Sequence, residues 1–142
     1  MTLSPISPGD GLWPAFEAAL RSAGLVTEDL GHGGGRYFAL DDGVGFGGFE
    51  RLGGSTLVRS IVVAPHRRGQ GLGSALLQAL IERARCEGAG ALWLLTTDAA
   101  PFFARQGFSA VARSAAPPEI AATAQFVSLC SASAELMCRK PA

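Results

Sequence analysis

The sequence has no net charge and few of the side chains that metal or disulfide chemistry requires. Twelve basic and twelve acidic side chains cancel over 142 residues. This balance argues against a nucleic-acid-binding protein, because such proteins normally present a basic surface. The three cysteines are an odd number without metal-ligand spacing, and only two histidines, His32 and His66, could join them. We therefore expect reduced thiols and no metal site.

Long apolar runs and targeting signals are also missing. No apolar stretch approaches the roughly 20 residues that span a bilayer. The first residues read MTLSPISPGDG, without a basic start and a following apolar segment, which predicts a cytoplasmic protein with no membrane partner. Hydrophobic residues make up 48% of the chain and charged residues 17%. This composition predicts one folded domain over residues 1–142.

The spacing of apolar residues predicts an α/β chain. Helical spacing occurs over residues 12–23, 71–87 and 98–106. Strands are expected at 36–40 and 44–51, joined by a turn at Asp41-Asp42-Gly43, and at 55–64, 91–96, 108–112 and 135–140. Because a helix joins the strands at 55–64 and 91–96, these two should be parallel neighbours. Residues 114–134 are expected to form a loop with one helical turn.

A glycine-rich stretch joins the long strand to the longest helix. Residues 62–80 read VVAPHRRGQGLGSALLQAL, with glycines at 69, 71 and 73. A mononucleotide loop would need a lysine directly before Ser74, and a dinucleotide site would need G-x-G-x-x-G after the first strand. The sequence has neither pattern. The remaining interpretations are a glycine-softened turn, or a strand-to-helix cradle whose first helical amides bind a pyrophosphate.

The same stretch resembles the acyl-coenzyme-A-binding motif of the GNAT N-acetyltransferases. That motif reads V-x-P-x-x-R-G-x-G-L-G here, from Val63 to Gly73, and its core pattern R/Q-x-x-G-x-G/A starts at Arg68. The order of helices and strands is similar too, over about residues 10–140. The resemblance implies a single domain: a central mixed, twisted sheet with helices on both faces and a cleft where two central parallel strands splay.

The resemblance also implies that acetyl-CoA is the co-substrate and indicates where it binds. The amides of Gly69 to Ser74 would hold the pyrophosphate, and the long strand would pair with the pantetheine arm. The Val63 amide would donate to the thioester oxygen. The coenzyme-A-binding residues expected in this way are Ile61, Val62, Val63, Arg68, Gly69, Gln70, Gly71, Leu72, Gly73, Ser74 and Phe103.

Two further segments narrow the resemblance. They read LLTTDAAPFFARQGF (94–108) and PPEIAATAQFVSLCSASAELM (117–137). Both are similar to N-acetyltransferases encoded beside arsenic-resistance genes and, more distantly, to the acetyltransferase domain that makes N-acetylglutamate. The implied acceptor is a small α-amino acid or an analogue of one.

Two charged residues are candidates for the acceptor site. Glu50 ends the second hairpin strand beside the long strand, where an acid in this superfamily often deprotonates the acceptor ammonium. A solvated carboxylate at a strand end is the alternative. Arg59 interrupts an otherwise apolar strand, and a buried cation there is costly unless it is paired. It would either pair with Glu50 or bind a substrate carboxylate through two hydrogen bonds.

The sequence lacks one of the residues that the family often uses for proton transfer. Thr96 and Thr97 end a parallel strand, where open α/β sheets place their ligands. The family often has a tyrosine that protonates the leaving thiolate, but Phe103 stands at that position and carries no proton to donate. Either the thiolate leaves unassisted, or water or Thr96 relays a proton. The single tyrosine, Tyr37, is expected in the core or in the acceptor wall.

The sequence therefore predicts an N-acetyltransferase that moves acetyl from acetyl-CoA to a small amino acid or an amino-acid-like toxicant. The amine would attack directly in a ternary complex, without a covalent enzyme intermediate. Gln125 and Phe126, in the loop after 117, are expected to line the acceptor. A protein N-terminal or lysine acetyltransferase and a non-catalytic acyl-CoA-binding module remain alternatives, and a homodimer is left open.

Overall fold

The described residues form a mixed sheet of seven strands. The computed structural model describes residues 1–30, 34–123, 126–127 and 133–141. The strands are β1 (Leu3–Ile6), β2 (Gly35–Leu40), β3 (Gly45–Leu52), β4 (Ser55–Val63), β5 (Leu92–Thr96), β6 (Ser109–Val111) and β7 (Glu135–Arg139). The helices are α1 (Trp13–Ser22), α2 (Leu72–Cys86), α3 (Ala100–Arg105) and α4 (Pro118–Ala121), with short 3-10 turns at Pro65–Arg67 and Arg113–Ala115.

The strand order is β1-β2-β3-β4-β5-β7-β6, and β4–β5 is the single parallel pair among the described strands. The structure confirms the predicted α/β architecture, with element ends shifted by one or two residues. The strand missing from the prediction is β1, whose sequence LSPI has Pro5 in its interior. Proline is tolerated there because β1 lies at the edge of the sheet and pairs only with β2.

Helices cover both faces of the sheet, as the resemblance implied. Helix α1 buries Trp13, Phe16, Ala19 and Leu20 on one face, in a cluster with Tyr37 and Phe46 of the hairpin. Helix α2 buries its leucines on the other face, in a cluster that includes Phe103. A smaller cluster under α4 joins Leu57, Ile120 and Leu136. The sheet is therefore buried on both faces. Polar side chains fit its central strands only where they bind another polar side chain or where the strand ends.

Strand β4 contains a β-bulge. Phe46 pairs with Val62 but Gly48 pairs with Arg59, so β4 has one residue more than β3 between these pairs. Ser60 lies in the irregular stretch with φ of 61°. The extra residue reverses the alternation of side chains. Arg59 and Val62 both face α1, and the break at Arg59-Ser60 in the sequence was the signal of this bulge.

Strands β4 and β5 separate towards their C-terminal ends. Their parallel pairing is confined to Thr56 with Leu92 and Leu57 with Trp93. Beyond these residues each strand directs its free edge into the gap between them. The splayed pair expected from the resemblance is thus present, and it opens a cleft in the middle of the sheet.

Candidate active site

A cleft of about 600 Å³ lies between the splayed strands. Its size is typical of small-molecule sites. The described residues that line it include Ala23–Val26 after α1, residues 58–63 of β4, Arg68 and Gly73, residues 94–99, Phe102, Phe103 and Ala134. One continuous cavity therefore runs from the segment after α1 to the start of α2.

The glycine-rich loop presents the N-terminus of α2 to this cleft. Gly69 and Gly71 have φ of 81° and 74°, a left-handed conformation that favours glycine. A methyl group at either position would have no neighbour within 4 Å, so the backbone conformation and not crowding requires glycine. Gly71 is the N-cap of α2, and no described side chain caps the helix there. The amides of the first turn are therefore available to an anion.

Arg68 ties this loop to the end of β4. Its Nε donates a hydrogen bond to the carbonyl oxygen of Val63 at 3.2 Å, and its side chain lines the cleft. Gln70 accepts a hydrogen bond from Arg67 at 3.1 Å, and Leu72 is buried beneath the helix start. The predicted pyrophosphate residues are thus brought together at one end of the cleft.

The backbone of β4 directs an amide into the cleft. Ala64 donates its N–H to the carbonyl oxygen of Val44, on the β3 side, at 2.9 Å. Successive N–H groups of a strand point in opposite directions. The N–H of Val63 therefore points away from β3 and towards the gap between β4 and β5. This is the orientation that a donor to a bound carbonyl oxygen needs.

The end of β5 carries hydroxyl groups into the same cavity. Thr96 is 9% exposed, and its Oγ1 accepts the N–H of Ala99 at 3.1 Å, just before α3. Because that contact uses a lone pair, the hydroxyl proton remains available to a ligand. Thr97 is exposed at the cleft mouth. Phe103 also lines the cleft, and its ring packs edge-on against Phe102 at 5.1 Å.

Arg59 has a partner that the sequence did not predict. Its guanidinium binds the carboxylate of Asp29 through two hydrogen bonds, one of 2.6 Å from Nη1. The Arg59 side chain is 2% exposed and that of Asp29 is 19% exposed. The expected pairing of Arg59 with Glu50 is therefore corrected to a pairing with Asp29, and binding of a substrate carboxylate stays a prediction. Asp29 lies 30 residues away and no local pattern marks it.

Burial and neighbouring charges act in opposite directions on Arg59. Burial lowers its pKa, but the hydrogen bonds that it donates to Asp29, with the nearby Tyr37 and Glu50, raise the pKa overall. Arg59 also lies over the ring of Tyr37, with its central carbon 5.6 Å from the ring centre. The guanidinium is therefore held charged in a largely apolar wall of the cleft.

Glu50 and Tyr37 lie on the same face of the sheet as Arg59. Glu50 pairs with Leu57 in the next strand and is half-buried, but it is not among the described residues that line the cleft. Tyr37 is 4% exposed, and its hydroxyl has no hydrogen-bond partner among the described residues. Burial raises the pKa of Tyr37, and Arg59 partly opposes this effect. Tyr37 is thus a core residue that backs the arginine.

The acceptor residues expected after position 117 are only partly placed. Gln125 lies outside the described residues. Phe126 is packed at 4.4 Å under the guanidinium of Arg113, in the cluster below α4, and does not line the cleft. The segment Ala23–Val26 lines it instead, and no sequence signal beyond the predicted helix stop at Gly24 indicated this.

Within residues 1–30, 34–123, 126–127 and 133–141, no three histidine, cysteine or acidic side chains come together as metal ligands. None of the described helices is both long and apolar enough to cross a bilayer.

Comparison with known families identifies the class of protein. Residues 33–110, more than half of the chain, match the acetyltransferase (GNAT) domain. The chain therefore belongs to the GNAT acetyltransferase family, as its glycine-rich motif suggested. A sequence comparison with functionally curated proteins gives no match.

Solved structures show the same fold over the whole chain. An N-acetylglutamate synthase from Neisseria gonorrhoeae, complexed with coenzyme A and N-acetyl-glutamate, is 17% identical with a TM-score of 0.75 over 100% of this chain. This chain spans only 36% of that synthase. Rv2747 from Mycobacterium tuberculosis, in complex with CoA and NLQ, is 17% identical with a TM-score of 0.77, covering 100% of both chains. A Klebsiella pneumoniae protein assigned as an acyl-CoA N-acyltransferase is 25% identical with a TM-score of 0.74, covering 98% of this chain and 96% of that one.

Proposed function

We propose that this GNAT protein transfers acetyl from acetyl-CoA to the amine of a small amino acid or an amino-acid-like compound. The observation that carries the proposal is the continuous cleft between β4 and β5. One end meets the start of α2, and the other is lined by the buried Arg59, whose guanidinium binds Asp29. A single cavity thus offers an anion-binding end and a carboxylate-binding end.

The described residues fit coenzyme A at the first end. The amides that follow Gly69 and Gly71 and the charge of Arg68 suit a pyrophosphate. The free edge of Ile61, Val62 and Val63 suits the amide groups of a pantetheine arm. When bound, acetyl-CoA supplies a thioester whose carbonyl carbon an amine can attack. The two neighbours solved with coenzyme A support this assignment by their fold.

The chain's own groups then orient the reactants and move protons. The Val63 N–H would donate a hydrogen bond to the thioester oxygen. Thr96 would relay a proton to the departing sulfur, accepting one from water at its oxygen as it gives up its own, since Phe103 has none to give. Glu50 would take the proton of the acceptor ammonium through water, because it lies beside the cleft and not in its lining.

Arg59 is proposed to bind the carboxylate of the acceptor. Two parallel N–H groups that now hold the carboxylate of Asp29 have the geometry that any carboxylate requires. An acceptor would take the place of Asp29, with Thr97 of the cleft lining as a further contact. The N-acetylglutamate synthase neighbour, solved with an acetylated amino acid, supports this class of acceptor.

The test is to incubate the full chain with acetyl-CoA and a panel of amines, and to measure thiol release and the mass of each product. The panel contains amino acids, the matching amines without carboxylates, an arsenic-bearing amino-acid analogue and peptides with free amines. We expect turnover of carboxylate-bearing small amines. Acetyl-CoA binding without any turnover would instead favour the acyl-CoA-binding module, and turnover of peptides alone a protein acetyltransferase.

The role of Arg59 is tested with a matched pair of variants. Arg59→Met should raise KM for the acceptor far more than KM for acetyl-CoA. Arg85→Met removes an arginine that is 65% exposed in its side chain and lies outside the cleft, and should change neither constant. Equal effects of Arg59→Met on both KM values would contradict the assignment.

A further inference from the structure

Three polar side chains connect the start of α2 with the end of α3. Nε2 of Gln106 donates a hydrogen bond to Oγ of Ser74 at 3.0 Å. Nε2 of Gln78 donates to Oε1 of Gln106 at 2.7 Å. Ser74 lies in the first turn of α2, and Gln78 follows it one turn later on the same helix. The result is a chain of hydrogen bonds that ends on a residue of the glycine-rich motif.

The backbone of Gln106 is anchored from both sides. Its N–H donates to the carbonyl oxygen of Phe103 at 2.9 Å, and its carbonyl oxygen accepts from Nε of Arg139 in β7 at 3.2 Å. The next residue, Gly107, has φ of 92°, and a Cβ there would lie 3.0 Å from the same Arg139 nitrogen. Gln106 therefore extends its side chain towards α2 from a fixed position.

The direction of these hydrogen bonds decides where the Ser74 proton points. A serine hydroxyl has one proton and two lone pairs. When Gln106 donates to Ser74 it occupies a lone pair, and the hydroxyl proton is left to donate elsewhere. If both amides turned by half a rotation, Oε1 of Gln106 would face Ser74 and accept its proton. Both arrangements place atoms at the same positions, since the two ends of an amide have the same shape.

We propose that Gln106 and Gln78 are positioning residues that keep Ser74 a proton donor towards the pyrophosphate of coenzyme A. The inference rests on the coenzyme-A site of the proposed function. In the observed arrangement Ser74 keeps its proton to donate, and it directly follows Gly73, which lines the cleft, so its hydroxyl would add a second donor to the anion site. A hydrogen bond from a hydroxyl to an ionised phosphate is stronger than one between neutral groups.

Opposite substitutions at Gln78 can impose each arrangement. In Gln78→Glu the new side chain only accepts, so Gln106 turns its Nε2 towards it and takes the Ser74 proton. In Gln78→Lys the new side chain only donates, so the observed arrangement is kept. Gln78 is exposed on a helix surface, and both replacements are good helix formers. Neither should disturb folding, which urea denaturation checks.

The opposite charges of Glu and Lys would by themselves give these two variants different affinities for coenzyme A. The comparison is therefore repeated in a Ser74→Ala background. The measurement is the Kd of coenzyme A by calorimetry, which needs no turnover. We expect the ratio of Kd between Gln78→Glu and Gln78→Lys to be about tenfold larger when Ser74 is present. Acetyl-pantetheine, which has no pyrophosphate, should show the same KM in all variants.

Two outcomes overturn different statements. An equal Kd ratio in both backgrounds would mean that only charge acts, and Ser74 would lose its assigned role. A native chain that binds no coenzyme A would refute the proposed function itself. Substitution of Gln106 by Glu gives an independent check, since an acceptor there must also take the Ser74 proton and weaken binding.

Discussion

The Arg59–Asp29 pair allows a prediction of stability whose size follows from burial. Asp29→Asn keeps the shape of the side chain but removes its charge, which leaves a guanidinium that is 2% exposed beside a neutral amide. Removing one partner of a buried ion pair costs about 3–5 kcal/mol. Because Asp29 is 19% exposed, water can partly replace it, so we expect a loss near the lower end, about 3 kcal/mol.

A second substitution separates charge from shape. In Asp29→Asn combined with Arg59→Met, the buried guanidinium is removed together with the carboxylate that it binds, and most of the lost stability should return. The free energy of unfolding is measured in urea by the fluorescence of the two tryptophans. Native and variant chains should unfold with the same dependence on urea, so that differences in midpoint report stability.

Glu82→Gln provides the control. The hydrogen bond from Arg85 lowers the pKa of Glu82 to about 2, but the two side chains are 59% and 65% exposed. Water and salt screen such a pair, and its loss should change stability little. If Asp29→Asn were no more destabilising than this control, or if the double variant stayed as unstable as the single one, the buried-charge explanation would be wrong.

Three further predictions concern the cleft and its walls. Gly71→Ala should weaken coenzyme A binding in calorimetry, because the left-handed N-cap positions the first-turn amides of α2. The control is Gly88→Ala, after the end of α2: its φ of 88° predicts a similar loss of stability, but the Kd of coenzyme A should stay unchanged. Burial raises the pKa of Tyr37, so its tyrosinate absorbance should appear at higher pH than in the unfolded chain. The unfolded chain then releases the proton first, and the free energy of unfolding should fall as the pH rises beyond about 10. Tyr37→Phe should reduce this fall and add about 1 kcal/mol at neutral pH. Phe103→Tyr restores a phenolic proton donor at the cleft and should raise kcat. In that variant Thr96→Val should reduce kcat less than it does in the native chain. Equal losses of kcat in the two backgrounds would argue against Thr96 as the proton donor.

Local patterns in the sequence were enough to predict most of the fold. The alternation of apolar residues indicated the strands, and the glycines at 69 and 71 indicated the strand-to-helix junction. The edge strand β1 was missed because Pro5 interrupts it, and only pairing with β2 makes it a strand. Local periodicity carries no information on such pairing partners.

The candidate site was predicted less completely, for a physical reason. Residues whose role depends on backbone conformation, such as Gly71, are visible in the sequence. Asp29 was not, because its contact with Arg59 requires the segment after α1 to fold back over the sheet. Glu50 was predicted to lie beside the long strand, but its distance from the cleft depends on how far β4 and β5 splay, which no local pattern encodes.

The bulge in β4 makes the length of that strand a functional property. Deletion of Ser60 would remove the bulge and leave Val62 facing α1, but insertion of one residue beside Ser60 would rotate residues 61–64 by half a turn relative to the residues before them. Val62 would then face α2, and the N–H of Val63 would point back at β3 instead of into the cleft. Single-residue substitutions along this strand would not reveal this rotation, because a substitution leaves the number of residues unchanged. The reactive end of the cleft is therefore sensitive to an insertion that changes no functional side chain.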